Sequence, residues 1–196
     1  MVKACSNPSI IRSLFSATLP DSVEELAPSI IHDAVRSLNP PVLVFVQSKE
    51  RAKELYKELS FDNVKADVIH ADLTQEQREN AVDNFRAGRT WVLIATDVIA
   101  RGMDFKGVNC VINYDFPESA AAYIHRIGRS GRAGRSGEAI TLYIEEDKPF
   151  LRHLANVMAA SGCEVPSWIL ALPKLRRKKH RPQRDAISTL PEDNPE

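Results

Sequence analysis

Cysteine is scarce: three residues, Cys5, Cys110 and Cys163, lie far apart in 196 residues. That spacing excludes a CxxC metal knuckle, and an odd count argues against a disulfide framework. No apolar run approaches the roughly 20 residues that a membrane span needs, and nothing at the start resembles a secretory leader. No Asn-x-Ser/Thr acceptor with a non-proline centre occurs. A reducing compartment, nucleus or cytosol, is the expected location. Catalytic signatures are thin as well. There is no GxSxG elbow, no HExxH, no His/Cys cluster and no Gly-Lys-Ser/Thr of a Walker loop. Only eight glycines are present, against 43% hydrophobic and 27% charged residues, a globular mixture that excludes a wholly disordered chain.

Net charge is zero, with 26 basic and 26 acidic residues, but the balance is uneven. Seven Lys/Arg and no acid lie between Lys174 and Arg184, and four acids lie in the last twelve residues. A basic block beside a near-neutral body reads as a nucleic-acid tether or a nuclear address, with a solvated tail as the plain alternative.

Five short apolar runs stand out: Val42–Val46, Val64–Ile69, Trp91–Ala95, Val108–Tyr114 and Ala139–Ile144. Four are nearly continuous, as strands buried on both faces of a parallel sheet are. The second alternates with Lys65 and Asp67 and fits a half-exposed strand. Helical patterns fill the gaps. Ala52, Leu55, Tyr56 and Leu59 share one face. Thr74 and Gln77 fit a capping box, with Gly88 as the stop. Ser119–Arg126 is a short helix ending at Gly128, and Asp147–Ala160 repeats Leu151, Leu154 and Met158. Strand alternating with helix predicts an α/β domain with a mainly parallel sheet. Residues 1–19 hold one further strand candidate, Ser13–Ser16, and a helical stretch runs from about Asp21 to Leu38. Little order is expected from Pro173 onward.

Ligands of such sheets bind beyond the carboxyl ends of the strands. The residues there are Gln47 and Ser48, His70 to Asp72, Thr96 and Asp97, and Asp115 and Phe116. Taken singly, each is as well explained by capping or turn formation. The stretch His125 to Gly137 is more informative. It holds four of the eight glycines and arginines at every third position, 126, 129, 132 and 135. Forked guanidinium groups suit bidentate phosphate contact and can act as an arginine finger on a nucleotide γ-phosphate. A flexible RNA tether is the alternative. It fits poorly between a helix and an apolar strand.

These residues resemble the C-terminal RecA-like domain of DEAD-box ATP-dependent RNA helicases, from about Ser13 to Ala160. Ser16-Ala17-Thr18 is similar to the SAT motif. Val44-Phe45-Val46-Gln47-Ser48 is similar to the strand motif that approaches RNA, and Gln75-Glu76-Gln77-Arg78 to the QxxR element. Thr96-Asp97 through Asp104-Phe105 is similar to the motif shared by RNA and nucleotide, and His125 to Arg132 to the arginine-finger motif. The resemblance implies a RecA-like three-layer fold. It implies RNA contacts by Gln47, Ser48, Gln75, Arg78, Thr96 and Asp97. It further implies a ribose contact by Asp104, γ-phosphate contacts by Arg129 and Arg132, and ordering of the hydrolysis site by His125. Ser16 and Thr18 would couple hydrolysis to unwinding.

ATP would be the substrate and would bring Mg²⁺, both held mainly by an N-terminal RecA-like domain. The implied subgroup is the nucleolar helicases of small-subunit ribosome assembly, in a plant, with pre-rRNA as the RNA partner. No membrane partner and a monomeric state are expected, in nucleus and nucleolus with the cytoplasm as a second possibility. Domain limits are read as 1–19, the remnant of the N-terminal domain; 20–40, a helical linker; 41–160, the helicase C-terminal domain; and 161–196, an extension with the basic tail.

Three departures from the family are expected to matter. The Q motif, Walker A and DEAD tetrapeptide are absent, so this chain alone is expected to be inactive as an ATPase. Some tens of residues, including the domain's first strand, are expected to be missing between the SAT segment and Asn39. Ala71 stands where the family usually has glycine. A stand-alone RNA-binding module, without catalytic activity, is the competing reading. A DNA-directed relative is a third.

Overall fold

The structure is a computed structural model that describes residues 10–15, 31, 40–100, 103, 105, 108–130, 137–160 and 165–173. Six parallel strands form one sheet in the order β1-β6-β5-β2-β4-β3. They are β1 (Ile10–Phe15), β2 (Val42–Val46), β3 (Ala66–Ile69), β4 (Val92–Thr96), β5 (Cys110–Asn113) and β6 (Gly137–Thr141). Helices α1 (Lys49–Phe61), α2 (Gln75–Arg86), α3 (Asp97–Ala100), α4 (Ala120–Ile127), α5 (Lys148–Ala160) and α6 (Ser167–Ala171) complete the domain, with a 3₁₀ turn at Glu145–Asp147.

The central strands carry apolar residues at every position because both faces of the sheet are covered. Val42, Val44, Val46, Val92, Ile94 and Ile112 pack with Ala52, Leu55 and Leu59 of α1. Leu43, Phe45, Leu93, Ala95 and Val111 pack on the opposite face with Ala81, Val82 and Phe85 of α2. Successive side chains of a strand point to opposite faces, so one continuous run serves two cores. Strand β3 lies at the sheet edge and its first three residues are only partly buried, as its alternating pattern predicts.

Local signals terminate the helices. The Ser48 hydroxyl accepts from the Arg51 amide at 3.2 Å and starts α1. At α2 the Thr74 hydroxyl accepts from Gln77 N at 3.2 Å, while the Gln77 carboxamide accepts from Thr74 N at 2.9 Å, a reciprocal capping box. Gly88 ends α2 with φ 73°. Its amide donates to Phe85 O and the Arg89 amide to Asn84 O, so two otherwise orphaned carbonyls are satisfied.

Two expectations shift. The last apolar run pairs as Gly137–Thr141 rather than Ala139–Ile144. Leu142 and Tyr143 are buried without belonging to the strand. Apolar character reports burial, not ladder hydrogen bonds. The strand candidate near the start is Ile10–Phe15 and pairs parallel with β6. Ile10–Phe15, within the segment 1–19 read as the end of a preceding domain, thus form an edge strand of this sheet. The helical stretch Asp21–Leu38 lies outside the described residues except for Ile31, which is helical and fully buried against α1 and the sheet. The basic tail also lies outside them.

Candidate nucleotide and RNA site

The carboxyl ends of the central strands bring the sequence motifs together. Val46 pairs with Thr96, Phe45 with Asn113 and Ile69 with Ala95. Gln47, His70, Thr96 and Asp115 therefore leave the sheet at the same end, about one residue apart in register. Gln47 is exposed, while Ser48 and Thr96 are partly buried. The Ser48 hydroxyl is engaged as the α1 cap. The Gln47 amide donates to Asp115 Oδ2 at 2.7 Å. Arg51 Nε holds the same carboxylate at 3.0 and 3.1 Å.

Helix α2 faces α3 across a cavity of about 540 Å³ lined along its length by Gln75, Arg78, Asp83 and Arg86 and, opposite, by Val98, Ile99 and Met103, among others. Gln75 Nε2 donates to Glu79 at 2.6 Å, and Arg78 Nε approaches Thr74 O at 3.4 Å. Val98 is 77% exposed, so this side of the site presents an apolar patch between polar groups. Beside the strand ends, Asp72 lies 3.1 Å from Lys49 Nζ and 3.4 Å from Lys53 Nζ. The Lys49 hydrogen bond holds the Asp72 carboxyl below the usual carboxylate range, and the same bond raises Lys49.

Helix α4 brings the first arginines of the stretch, Arg126 and Arg129, toward this end of the sheet. His125 is exposed on its last turn and Arg129 is partly buried just beyond it. Arg129 Nη1 donates to Met103 O at 3.1 Å, and Ser130 bridges Val108 in parallel. Arg129 therefore lies against Met103, the residue before Asp104 in sequence. Ser16, Thr18, Asp104 and Arg132 themselves lie outside the described residues.

Arg126 was missed by sequence reasoning. Its side chain is 2% exposed, beneath the polar edge. Nε and Nη2 donate to the two carboxylate oxygens of Asp97 at 2.8 and 2.6 Å. Nη1 donates to Asn113 Oδ1 at 3.2 Å and to Asp115 O at 2.8 Å, and the guanidinium carbon lies 5.2 Å from the Phe45 ring centroid. A signal was present: Tyr123, Arg126 and Ile127 share the buried face of α4 at helical spacing. The Asp97 carboxylate is engaged by Arg126 through both oxygens.

Among the described residues, no three His, Cys, Asp or Glu side chains stand close enough to hold a metal ion. The polar edge gathers cations, hydroxyls and amides with the carboxylates of Asp72, Asp97 and Asp115.

A parallel sheet clad with helices on both faces, with cations and hydroxyls at its carboxyl end, is the architecture of a RecA-like C-terminal helicase domain. Residues 24–134 match the helicase conserved C-terminal domain. The chain belongs to that family and, within it, to the DEAD-box RNA helicases. It is 70% identical to the DEAD-box ATP-dependent RNA helicase 57 of rice (Oryza sativa subsp. japonica) over 230 residues, covering 99% of this chain and 43% of that protein. It is 56% identical over 162 residues to the probable ATP-dependent RNA helicase DDX52 of cattle (Bos taurus), covering 80% of this chain and 27% of that protein. Among solved structures it resembles the RNA helicase Prp28 of Chaetomium thermophilum bound to ADP. There the TM-score is 0.73 at 31% identity, over 82% of this chain and 40% of that one. This chain thus spans less than half the length of these relatives. The stretch aligned with the rice protein, 230 residues, also exceeds the 196 of this chain, so that relative carries some tens of residues with no counterpart here.

Proposed function

We propose that this chain is the C-terminal half of an ATP-dependent RNA helicase, contributing one wall of an RNA groove and an arginine finger to ATP hydrolysis. The observation that carries the reading is the meeting of two motif sets at one sheet edge. Gln47 follows β2 and Thr96 ends the neighbouring β4, while Arg126 of α4, next to His125, bonds Asp97 and the Asp115 carbonyl at the same end.

In this reading Gln47, Thr96, Gln75 and Arg78 hold the RNA backbone. Asp104 meets the ATP ribose, Arg129 and Arg132 meet the γ-phosphate, and His125 orders the hydrolysis site. Backbone phosphate contact by cations and hydroxyls positions RNA without reading its sequence. Mg²⁺ accompanies the triphosphate, and its ligands, with the phosphate cradle, come from an N-terminal RecA-like domain. Ser16 and Thr18 couple the two halves. Residues 20–40 are assigned as linker, 41–160 as the helicase domain and 161–196 as an RNA-tethering extension. The RNA is pre-rRNA and the location nucleolar, in small-subunit ribosome assembly, with the protein acting as a monomer. The alternative is an RNA-binding module without catalysis.

The test is RNA-stimulated phosphate release by this chain alone and by this chain mixed with, or joined to, a DEAD-box N-terminal domain. No turnover alone and turnover in the combined protein is the expected result. Arg129→Lys should lower the combined rate by on the order of a thousandfold, because lysine keeps charge but not forked geometry. Turnover within about threefold of the parent, a barrier change well under 1 kcal/mol, would remove the finger assignment. RNA binding without turnover in the combined protein would favour the alternative.

A further inference from the structure

The cavity between α2 and α3 extends well past the residues given to the RNA backbone. Gln75 and Arg78 line one end of it, so a strand held by them passes its opening. Rising about 1.5 Å per residue, α2 sets Asp83 roughly 7.5 Å beyond Arg78, comparable to the reach from a nucleotide's phosphate to the far edge of its base. The volume, about 540 Å³, lies in the range of pockets that enclose small ligands. One wall is apolar. Val98 is 77% exposed, and Ile99 and Met103 are partly buried and pack against the core beneath. Branched aliphatic and thioether groups offer a flat aromatic ring a surface to stack on. The α2 wall is polar. Asp83 and Arg86 stand 3.4 Å apart, a carboxylate beside a guanidinium. The other carboxylate of that wall, Glu79, already accepts from Gln75 Nε2 at 2.6 Å. A carboxylate with two oxygens calls for two neighbouring donors, and a guanidinium fork for two neighbouring acceptors. Guanine carries both, N1–H with N2–H and O6 with N7, whereas uracil, cytosine and adenine have no such pair of donors on neighbouring atoms.

We propose that this cavity is a base-binding subsite: it takes one unstacked base of the bound RNA, guanine by preference, stacked on Val98 and Met103 and read by Asp83 and Arg86. The proposal rests on the RNA reading above. It adds sequence preference, which contacts to phosphate and sugar alone do not supply. Single-stranded RNA is the form whose bases are free to leave the stack and enter such a pocket.

The experiment uses the full chain and three short oligomers: an oligouridylate, and the same oligomer with a single central guanosine or adenosine. Affinity is read by fluorescence anisotropy. NMR follows the backbone amides of Gln47 and Thr96 and the methyl groups of Val98 and Met103. The guanosine oligomer should bind about tenfold tighter than the uridine one, the order that a bidentate base contact supplies. The adenosine oligomer should stay within about threefold of uridine, since it has no paired donors for Asp83. All three should shift the Gln47 and Thr96 amides, and the guanosine oligomer alone should shift the Val98 and Met103 methyls strongly. Asp83→Ala, at an exposed position of α2, should bring the guanosine oligomer down to the uridine one. Equal affinity for guanosine and uridine overturns the subsite. Equal gains for adenosine and guanosine overturn it too, as does a guanosine preference that survives Asp83→Ala. If the Gln47 and Thr96 shifts persist in those cases, the RNA reading stands without the subsite. Shifts confined to residues beyond Pro173 would sink the RNA reading itself and this inference with it.

Discussion

Two buried side chains show how environment sets chemistry. Cys110 is fully buried at the start of β5. Burial, with the nearby Glu138 charge, pushes its thiol up to about 12. The thiolate is the nucleophile, so Cys110 should be inert in the folded chain. Iodoacetamide at pH 8 followed by peptide mapping is expected to leave Cys110 unlabelled until denaturant is added. Labelling in native buffer would show that β5 opens. Arg126 presents the opposite case, a charge kept buried by its partners. Removing one member of a buried, hydrogen-bonded pair typically costs about 3–5 kcal/mol. Arg126→Ala should therefore lower stability in a urea titration by that order, far more than Arg86→Ala, whose 3.4 Å pair with Asp83 lies on the surface.

At the scale of elements, capping decides how firmly α2 presents Gln75 and Arg78. Thr74→Ala removes one arm of the capping box and should cost about 1 kcal/mol, measured by denaturant midpoint. The 3₁₀ turn before α5 gives a prediction with a sign in pH. Asp147 accepts from Ile144 N at 3.0 Å, yet burial raises its carboxyl above the usual range, with Glu146 and Asp115 adding repulsion. An acid with a raised folded-state pKa favours folding when protonated. Its charge is thus a burden above that pKa, and the burden is relieved as pH falls through it. Asp147→Asn should raise the melting temperature at pH 7, and the gain should vanish toward pH 4. Asp147→Ala should show no such gain, because the Ile144 amide loses its acceptor. A lower melting temperature for Asp147→Asn at pH 7 would show that the charge is stabilising after all.

At the scale of the whole molecule, the proposed RNA role divides between the near-neutral body and the basic block after Pro173. In that proposal the body contributes a few positioned contacts and the block contributes charge. Truncation after Leu172 removes all seven cations between Lys174 and Arg184. Each phosphate neutralised on single-stranded RNA contributes about −0.7 to the slope of log affinity against log salt. The truncated chain should bind RNA more weakly and with a slope flatter by one unit or more. An unchanged slope would show that the tail does not touch phosphate.

The central sheet was legible because strands buried on both faces need apolar residues at every position, and β2 matches its run Val42–Val46 residue for residue. Helix starts at Thr74 and Ser119 were equally legible, since a cap is a local bond between residues three apart. Non-local relations were not. Strand order, the pairing of Ile10–Phe15 with β6 and the meeting of α4 with the ends of β4 and β5 join residues from 11 to over 100 positions apart. Helix α6 escaped notice because five residues are too few for a period to show. Arg126 escaped because a charge is ordinarily solvated. Only the assembled fold supplies Asp97, Asn113 and the Asp115 carbonyl, drawn from 11 to 29 positions away, as the partners that make its burial possible.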